Sequence, residues 1–200
     1  MLWQPPLPDH YTAMSDAQLV DAIKARRAEL GNQLVILGHH YQQDDVIQFA
    51  DFTGDSFKLS QLAAQRVKET GAKYVIFCGV HFMAESADIL APDDTTVILP
   101  DMSAGCSMAD MADYEQTVDA WEAINDALKE TNSRVIPICY MNSSAAIKAF
   151  CGEHGGAVCT SSNCDKILDW AFAGGEEPLK PGEKIRILFL PDQHLGCNTA

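Results

Sequence analysis

Short, mostly apolar runs recur along the chain, and each ends in a polar cluster. Gln33 to Leu37, Tyr74 to Cys78, Thr96 to Leu99, Val135 to Cys139, Ala157 to Cys159 and Ile185 to Leu190 are too short for ordinary helices. They are rich in β-branched residues and are predicted as six buried strands. Between them, apolar positions recur at helical spacing. Ser15 and Gln18 form a capping box ahead of the stripe Leu19, Val20, Ile23 and Leu30, which ends at Gly31. Asp44 or Asp45 is expected to open a helix carrying Val46, Ile47 and Ala50 that stops near Gly54. Asp55-Ser56 opens another, with Leu59, Leu62, Ala63 and Val67 on one face. Further helices are predicted over Phe82 to Leu90, Glu115 to Lys129, Ala145 to Phe150 and Asp165 to Phe172, the last capped by Asn163.

Strands alternating with helices predict an α/β fold with parallel sheets and right-handed crossovers. The organisation expected is an N-terminal arm over residues 1–14, a first α/β domain over 15–110 and a second, incomplete one over 111–200. The last strand and its loop, Pro191 to Cys197, are not followed by a predicted helix. The chain is therefore expected to be the N-terminal part of a longer protein.

Composition narrows the function. A net charge of -14 disfavours nucleic acid and anionic membrane surfaces, which need clustered Lys and Arg. A small anionic substrate stays open, because a few local donors outweigh a distant, salt-screened field. No secretory leader is legible in Met1 to Met14, and no apolar run reaches the length of a membrane span. Seven cysteines without zinc-type spacing then read as free thiols of a reducing cytoplasm.

Ligands of open parallel sheets bind outside the carboxyl ends of the strands. The unusual polar groups collect there: His39, His40 and Tyr41, then His81, Cys106, Tyr140 with Asn142, Ser161 with Ser162, and Asp192 with His194. Cys106 lies in the small-residue loop Ser103-Ala104-Gly105, where a thiol can reach a metal or an electrophile. Structural readings stand beside these. His39 also suits a buried, backbone-bonded histidine, and at most one of His39 and His40 is expected to share a site with Tyr41. Ser56 and Ser161 also suit plain helix or turn caps. Tyr140 and Asn142 share a side if the strand continues, and a turn explains them equally. Cys78, Cys139, Cys151, Cys159 and Cys164 read as small core hydrophobes. Ile98-Leu99-Pro100-Asp101 with Gly105-Cys106 is echoed by Phe189-Leu190-Pro191-Asp192 with Gly196-Cys197, as in a duplicated α/β unit.

Six ordered stretches resemble the quinolinate synthase family: Leu37-Gly38-His39-His40-Tyr41-Gln42, Asp51-Phe52-Thr53-Gly54-Asp55-Ser56, Gly79-Val80-His81-Phe82-Met83-Ala84-Glu85, Gly105-Cys106-Ser107-Met108-Ala109, Tyr140-Met141-Asn142-Ser143 and Thr160-Ser161-Ser162. The resemblance implies repeated three-layer α/β domains, three around a pseudo-threefold axis, of which about two are present. It implies an enzyme of NAD biosynthesis that condenses iminoaspartate with dihydroxyacetone phosphate to quinolinate. A [4Fe–4S] cluster with an open iron would act as Lewis acid in the dehydration.

Carried over by position, Cys106 is one of three cysteine ligands, and Cys197 is not the second despite the echo. His39 and Tyr41 are catalytic. His39, Ser56, Tyr140, Met141, Asn142 and Ser161 bind substrate. The other ligands and a third-domain glutamate fall beyond these 200 residues, so the chain alone is expected to be inactive. Coupling to the oxidase that produces iminoaspartate is a possible partnership. Two alternatives stand: a non-catalytic α/β module that binds a small anionic metabolite, and a redox-sensing thiol at Cys106.

Overall fold

The structure is a computed structural model and describes residues 6–200. Residues 1–5 of the expected arm lie outside the described residues. The chain divides into two compact units, Met1–Gly105 and Cys106–Ala200, each α/β with a parallel sheet.

The first unit runs α1 (Asp9–Thr12), α2 (Asp16–Leu30), β1 (Leu34–His39), α3 (Asp44–Ile47), β2 (Phe52–Gly54), α4 (Ser56–Thr70), β3 (Tyr74–Cys78), α5 (His81–Leu90) and β4 (Thr96–Ile98). Its strand order is β2-β1-β3-β4. β1 and β3 hold the centre, where Val35, Ile36, Leu37, Val75 and Phe77 are buried with Leu59, Ala63 and Val67 of α4. The second unit runs α6 (Tyr114–Leu128), β5 (Ser133–Tyr140), α7 (Ala145–Glu153), β6 (Ala157–Cys159), α8 (Cys164–Phe172), β7 (Lys184–Leu190) and α9 (Gln193–Thr199). Its order is β6-β5-β7. One side of β5 packs Cys139 with Ile147, Phe150 and Cys151. The other packs Ile136 and Ile138 with Cys159, Cys164 and Leu168.

Four expectations are corrected. The helix expected from Asp44 to near Gly54 stops at Ile47. The chain beyond it is captured by β1: Asp51 donates its N–H to Ile36 O at 2.7 Å, and Ile36 N–H donates to Asp51 Oδ2 at 2.8 Å. This creates β2, too short to read as a strand from its pattern. The capping box of α2 forms through Ser15 and Gln18, but its apolar stripe buries no residue, and Ile23 is 40% exposed. What anchors α2 is Arg27, which bonds the Asp51 carboxylate and Phe49 O. A helix does follow the last strand: Asp192 caps α9 by accepting from His194 and Leu195 N–H at 2.9 and 3.0 Å. Finally, α8 begins at Cys164, and the Asn163 side chain does not cap it. That carboxamide instead accepts Thr160 N–H at 2.6 Å.

Of the five cysteines expected in the core, Cys139, Cys151, Cys159 and Cys164 are buried and Cys78 is half-buried. Pro137 sits in the middle of the second sheet without breaking it. The β5–β6 ladder starts only at Ile138, so no ladder bond is lost on that side. Gly156 crosses at this point, and a Cβ there would lie 1.9 Å from Pro137 O.

A prediction follows from that crossing. Gly156→Ala forces two backbone segments apart and should lower stability by more than about 3 kcal/mol. Gly152→Ala, in α7 with nothing within 4 Å of its Cβ, should gain about 0.5–1 kcal/mol. Urea denaturation of the two variants should therefore show shifts of opposite sign, and a near-neutral Gly156→Ala would contradict the packing described.

Candidate functional site

The two units build the carboxyl ends of their first two strands in the same way. His39, the last residue of β1, is in register with Gly54, the last residue of β2. The next residue, His40, donates its N–H to Gly54 O at 3.2 Å. In the second unit Tyr140 ends β5 in register with Cys159, which ends β6. The next residue, Met141, donates its N–H to Cys159 O at 2.8 Å. Ser56 lies two residues after Gly54, and Ser161 two residues after Cys159. The backbone thus pairs His39 with Tyr140, Tyr41 with Asn142, and Ser56 with Ser161 as equivalent positions of two equivalent strand ends. In each unit the third strand lies on the opposite side of the first from the second. This is the switch point at which open parallel sheets bind ligands.

In the first unit His39 is 3% exposed and Tyr41 79%. Their ring centroids are 4.2 Å apart, and His40 stacks on His39 at 4.4 Å and meets Tyr41 edge-on at 4.4 Å. The expectation that only one histidine could join Tyr41 is therefore corrected: a turn after β1, closed by Gln42 N–H to His39 O at 2.9 Å, folds all three rings together. Gly38 permits the packing beneath them, since a Cβ there would sit 3.0 Å from both Ala50 and Ile47. Tyr41 N–H approaches His39 Nδ1 at 3.4 Å. An accepting Nδ1 leaves the proton of the neutral ring on Nε2. Burial pushes the His39 imidazole below its ordinary value, His40 adds to this, and Asp55 opposes it.

Neither serine is used as a cap. Asp55 caps α4 by accepting Lys58 N–H at 2.8 Å, so Ser56 stands at the first helical position, half-buried, with its hydroxyl uncommitted. In the turn after β6, Thr160, Ser162 and Asn163 bond one another, and the Ser161 hydroxyl is exposed and uncommitted. The capping alternative explains neither residue.

Beyond Tyr140 the strand does not continue. Ser143 N–H turns back to Met141 O at 2.9 Å, and the buried Ser143 hydroxyl donates to Tyr140 O at 2.8 Å. Lys148 Nζ donates to Ser143 O at 2.6 Å and fixes the turn from α7. Met141 is buried, while Tyr140 and Asn142 are half-buried.

Cys106 is a free, half-buried thiol whose carbonyl accepts Asp110 N–H at 3.0 Å. The loop before it is shaped by Asp101, which accepts from the N–H and hydroxyl of Ser103 at 2.8 and 2.6 Å, and by His81 N–H bonded to Ala104 O at 3.1 Å. Among the described residues no group of three His, Cys, Asp or Glu side chains is placed to hold a metal ion. An iron–sulfur cluster needs several thiolates. Among the described residues the free thiol of Cys106 is a donor of the right kind, and the remaining ligands would have to come from elsewhere in the complete protein. Sequence reasoning missed the packing role of Gly38, which lies inside a quoted stretch, and named Asp55-Ser56 as a helix opening without saying which of the two side chains caps it.

Residues 21–200 match the family model described as NadA: Quinolinate synthetase A protein. A quinolinate synthase of Acidobacterium capsulatum is 58% identical over 192 residues, covering 96% of this chain and 48% of that protein. One from Streptomyces coelicolor is 54% identical over 193 residues, with 96% and 45% covered. One from Geobacillus kaustophilus is 55% identical over 194 residues, with 97% and 49% covered. The chain spans about half the length of the curated relatives it matches.

The lowered His39 carries a pH prediction. An unfolded chain protonates this ring near its ordinary 6.5, the folded chain only at lower pH. The stability His39 contributes is therefore complete above about pH 6.5 and is lost as the pH falls from there through the lower value at which the folded ring protonates. His39→Gln should show a smaller loss of urea stability between pH 7 and pH 5 than the parent chain. An equal loss would contradict the assignment.

Proposed function

The chain belongs to the quinolinate synthetase A family, and on that premise we propose that the complete protein is a quinolinate synthase. It is a transferase of NAD biosynthesis, placed in the cytoplasm, that condenses iminoaspartate with dihydroxyacetone phosphate. The observation that carries the reading is the matched pair of strand ends: His39 and Tyr41 after β1, Tyr140 and Asn142 after β5, with an uncommitted serine hydroxyl two residues past each partner strand.

Each side chain has a role suited to that chemistry. The neutral His39 ring, its Nδ1 turned to Tyr41 N–H, presents Nε2–H to a substrate oxygen and can exchange that proton. The exposed Tyr41 phenol closes over the same point. Ser56 and Ser161 hold anionic groups through hydroxyls that no protein group occupies, Ser161 beside the N-terminus of α8, where the Asn163 side chain leaves the first amides open. Tyr140 and Asn142 orient substrate from the turn that Ser143 and Lys148 stiffen. Cys106 is one of three cysteine ligands of a [4Fe–4S] cluster. The bound cluster supplies a Lewis-acidic iron, while the steps assigned to this chain are hydrogen bonding and proton exchange by its own side chains. Iminoaspartate is unstable in water, so a direct supply from the oxidase that makes it suits the scheme.

No helix among the described residues is long and apolar enough to cross a membrane.

The test is on the complete gene product purified without oxygen. It should carry about four iron and four sulfide per chain, and Cys106→Ala should lose both cluster and quinolinate formation while its far-ultraviolet dichroism is unchanged. Full activity in Cys106→Ala would overturn the proposal and favour the metal-free anion-binding alternative.

A further inference from the structure

The amino-terminal edge of the first sheet carries a feature that the proposed chemistry does not use. A cavity of about 420 Å³ opens there between the ends of α2 and α4 and the start of β1. Its size is within the range of small-molecule sites. The strand ends that carry His39 and Ser56 are at the opposite edge of the same sheet.

Three cations line it: Lys24 and Arg27 from α2, and Arg66 from α4. The wall's one carboxylate, Asp51, is neutralised by Arg27. The Lys24 ammonium has no ion-pair or hydrogen-bond partner among the described residues. Arg66 has only a loose contact with Glu69, at 3.6 Å one helical turn along and about half exposed on both sides. Asn32 adds an unpaired side-chain amide, and Thr70, whose proton goes to Arg66 O at 2.8 Å, keeps its lone pairs. The chain holds 14 basic residues against 28 acidic ones. With Asp51 cancelled by Arg27, the two remaining cations, Lys24 and Arg66, leave the cavity wall net positive in a strongly negative chain.

The second unit shows what the same edge looks like when closed. There Arg134, at the start of β5, spends its guanidinium on Glu183, Gly174 O and Glu177 O, and the loop before β7 lies across it. The first unit has no such internal acceptors for Lys24 and Arg66.

We infer that this cavity is a second ligand site, for a small phosphorylated metabolite bearing two anionic groups. Lys24 and Arg66 approach from different helices, so each takes one anionic group, and the volume exceeds that of a single phosphate. Asn32 donates to the ligand between them. Arg27 positions the floor through Asp51 and is not itself free to bind.

Inorganic pyrophosphate is the probe, with orthophosphate as the single-anion comparison, titrated calorimetrically into the complete protein. Pyrophosphate should bind at one site per chain beyond the active site, more weakly as salt rises, and orthophosphate should bind roughly tenfold more weakly. The pair Lys24→Gln/Arg66→Gln should weaken pyrophosphate by roughly tenfold or more, as should Asn32→Ala to a smaller degree, with the melting temperature of each free variant unchanged. Ser56→Ala and Ser161→Ala should leave this titration intact, which separates the cavity from the proposed substrate site. Cations near helix C-termini also complement the helix dipoles. If that is their whole role, Lys24→Gln/Arg66→Gln will lower the melting temperature and pyrophosphate will not bind the parent protein at this site; that result, or a titration the double variant leaves unchanged, overturns the inference.

Discussion

β1 and β5 each carry hydrogen-bond ladders on both sides, so the chain leaving either strand must pair on one flank and then cross over to reach the other. That constraint sets the rest. It fixes the order β2-β1-β3 in the first unit and β6-β5-β7 in the second. It puts a topological switch point at the carboxyl end of each central strand, where two crossovers depart in opposite directions. It also brings the residue two past each flanking strand, Ser56 or Ser161, next to the end of the central one. The polar groups at the strand ends are therefore placed by backbone pairing. Loop packing only adjusts them.

What each unit builds on this frame differs with burial. In the first, the turn after β1 drops His39 into the interior and lifts Tyr41 into solvent, with their rings still in contact. Desolvation and a neighbouring imidazole push the buried ring below its ordinary value, against Asp55. In the second, the turn after β5 is stiffened by Ser143 and Lys148, and the half-buried Tyr140 and Asn142 flank a buried Met141. One unit buries an imidazole beneath an exposed phenol, and the other holds a half-buried tyrosine and asparagine on a stiffened turn.

Much of this was legible because parallel strands announce themselves. Runs such as Tyr74 to Cys78 or Val135 to Cys139 are buried on both faces and carry no period, and α4, α5 and α6 follow their caps and apolar faces. The strand-end clustering of polar residues needed only the rule for where such sheets bind ligands. The departures come from contacts between segments distant in sequence, or from a choice between neighbouring side chains, that local pattern does not carry. β2 is three residues long and exists because Asp51 and Ile36 exchange bonds with each other's segments. α2 has an apolar stripe that reads as core and buries nothing, because an arginine rather than a leucine anchors it. Ring clustering of His39, His40 and Tyr41 depends on a turn that no two-residue spacing rule describes. Asp55 rather than its neighbour Ser56 caps α4, and Asn163 leaves α8 without a side-chain cap because its carboxamide accepts the Thr160 amide.

The internal echo shows how a repeat in sequence and a repeat in structure can disagree. The matched letters align the end of β4 with the end of β7, yet the backbone aligns β1 with β5 and β2 with β6. β4 is the fourth strand of its sheet and an edge; β7 is the third of its sheet and pairs with β5 over seven residues. What the two stretches do share is a carboxylate that folds the next residues back: Asp101 accepts Ser103 N–H, and Asp192 accepts His194 N–H. The consequence diverges at once. After Asp101 the chain stays irregular and Cys106 is left half-buried in a loop, with its thiol uncommitted. After Asp192 a helix forms, Gly196 packs against Phe189, and Cys197 is carried to an exposed helical face. Identical Leu-Pro-Asp and Gly-Cys letters thus give two thiols in unlike settings. The irregular loop is the setting suited to a cluster ligand, because a thiolate there can turn to meet iron without breaking a helix. The echo is a shared turn, and the true repeat is carried by the paired strand ends.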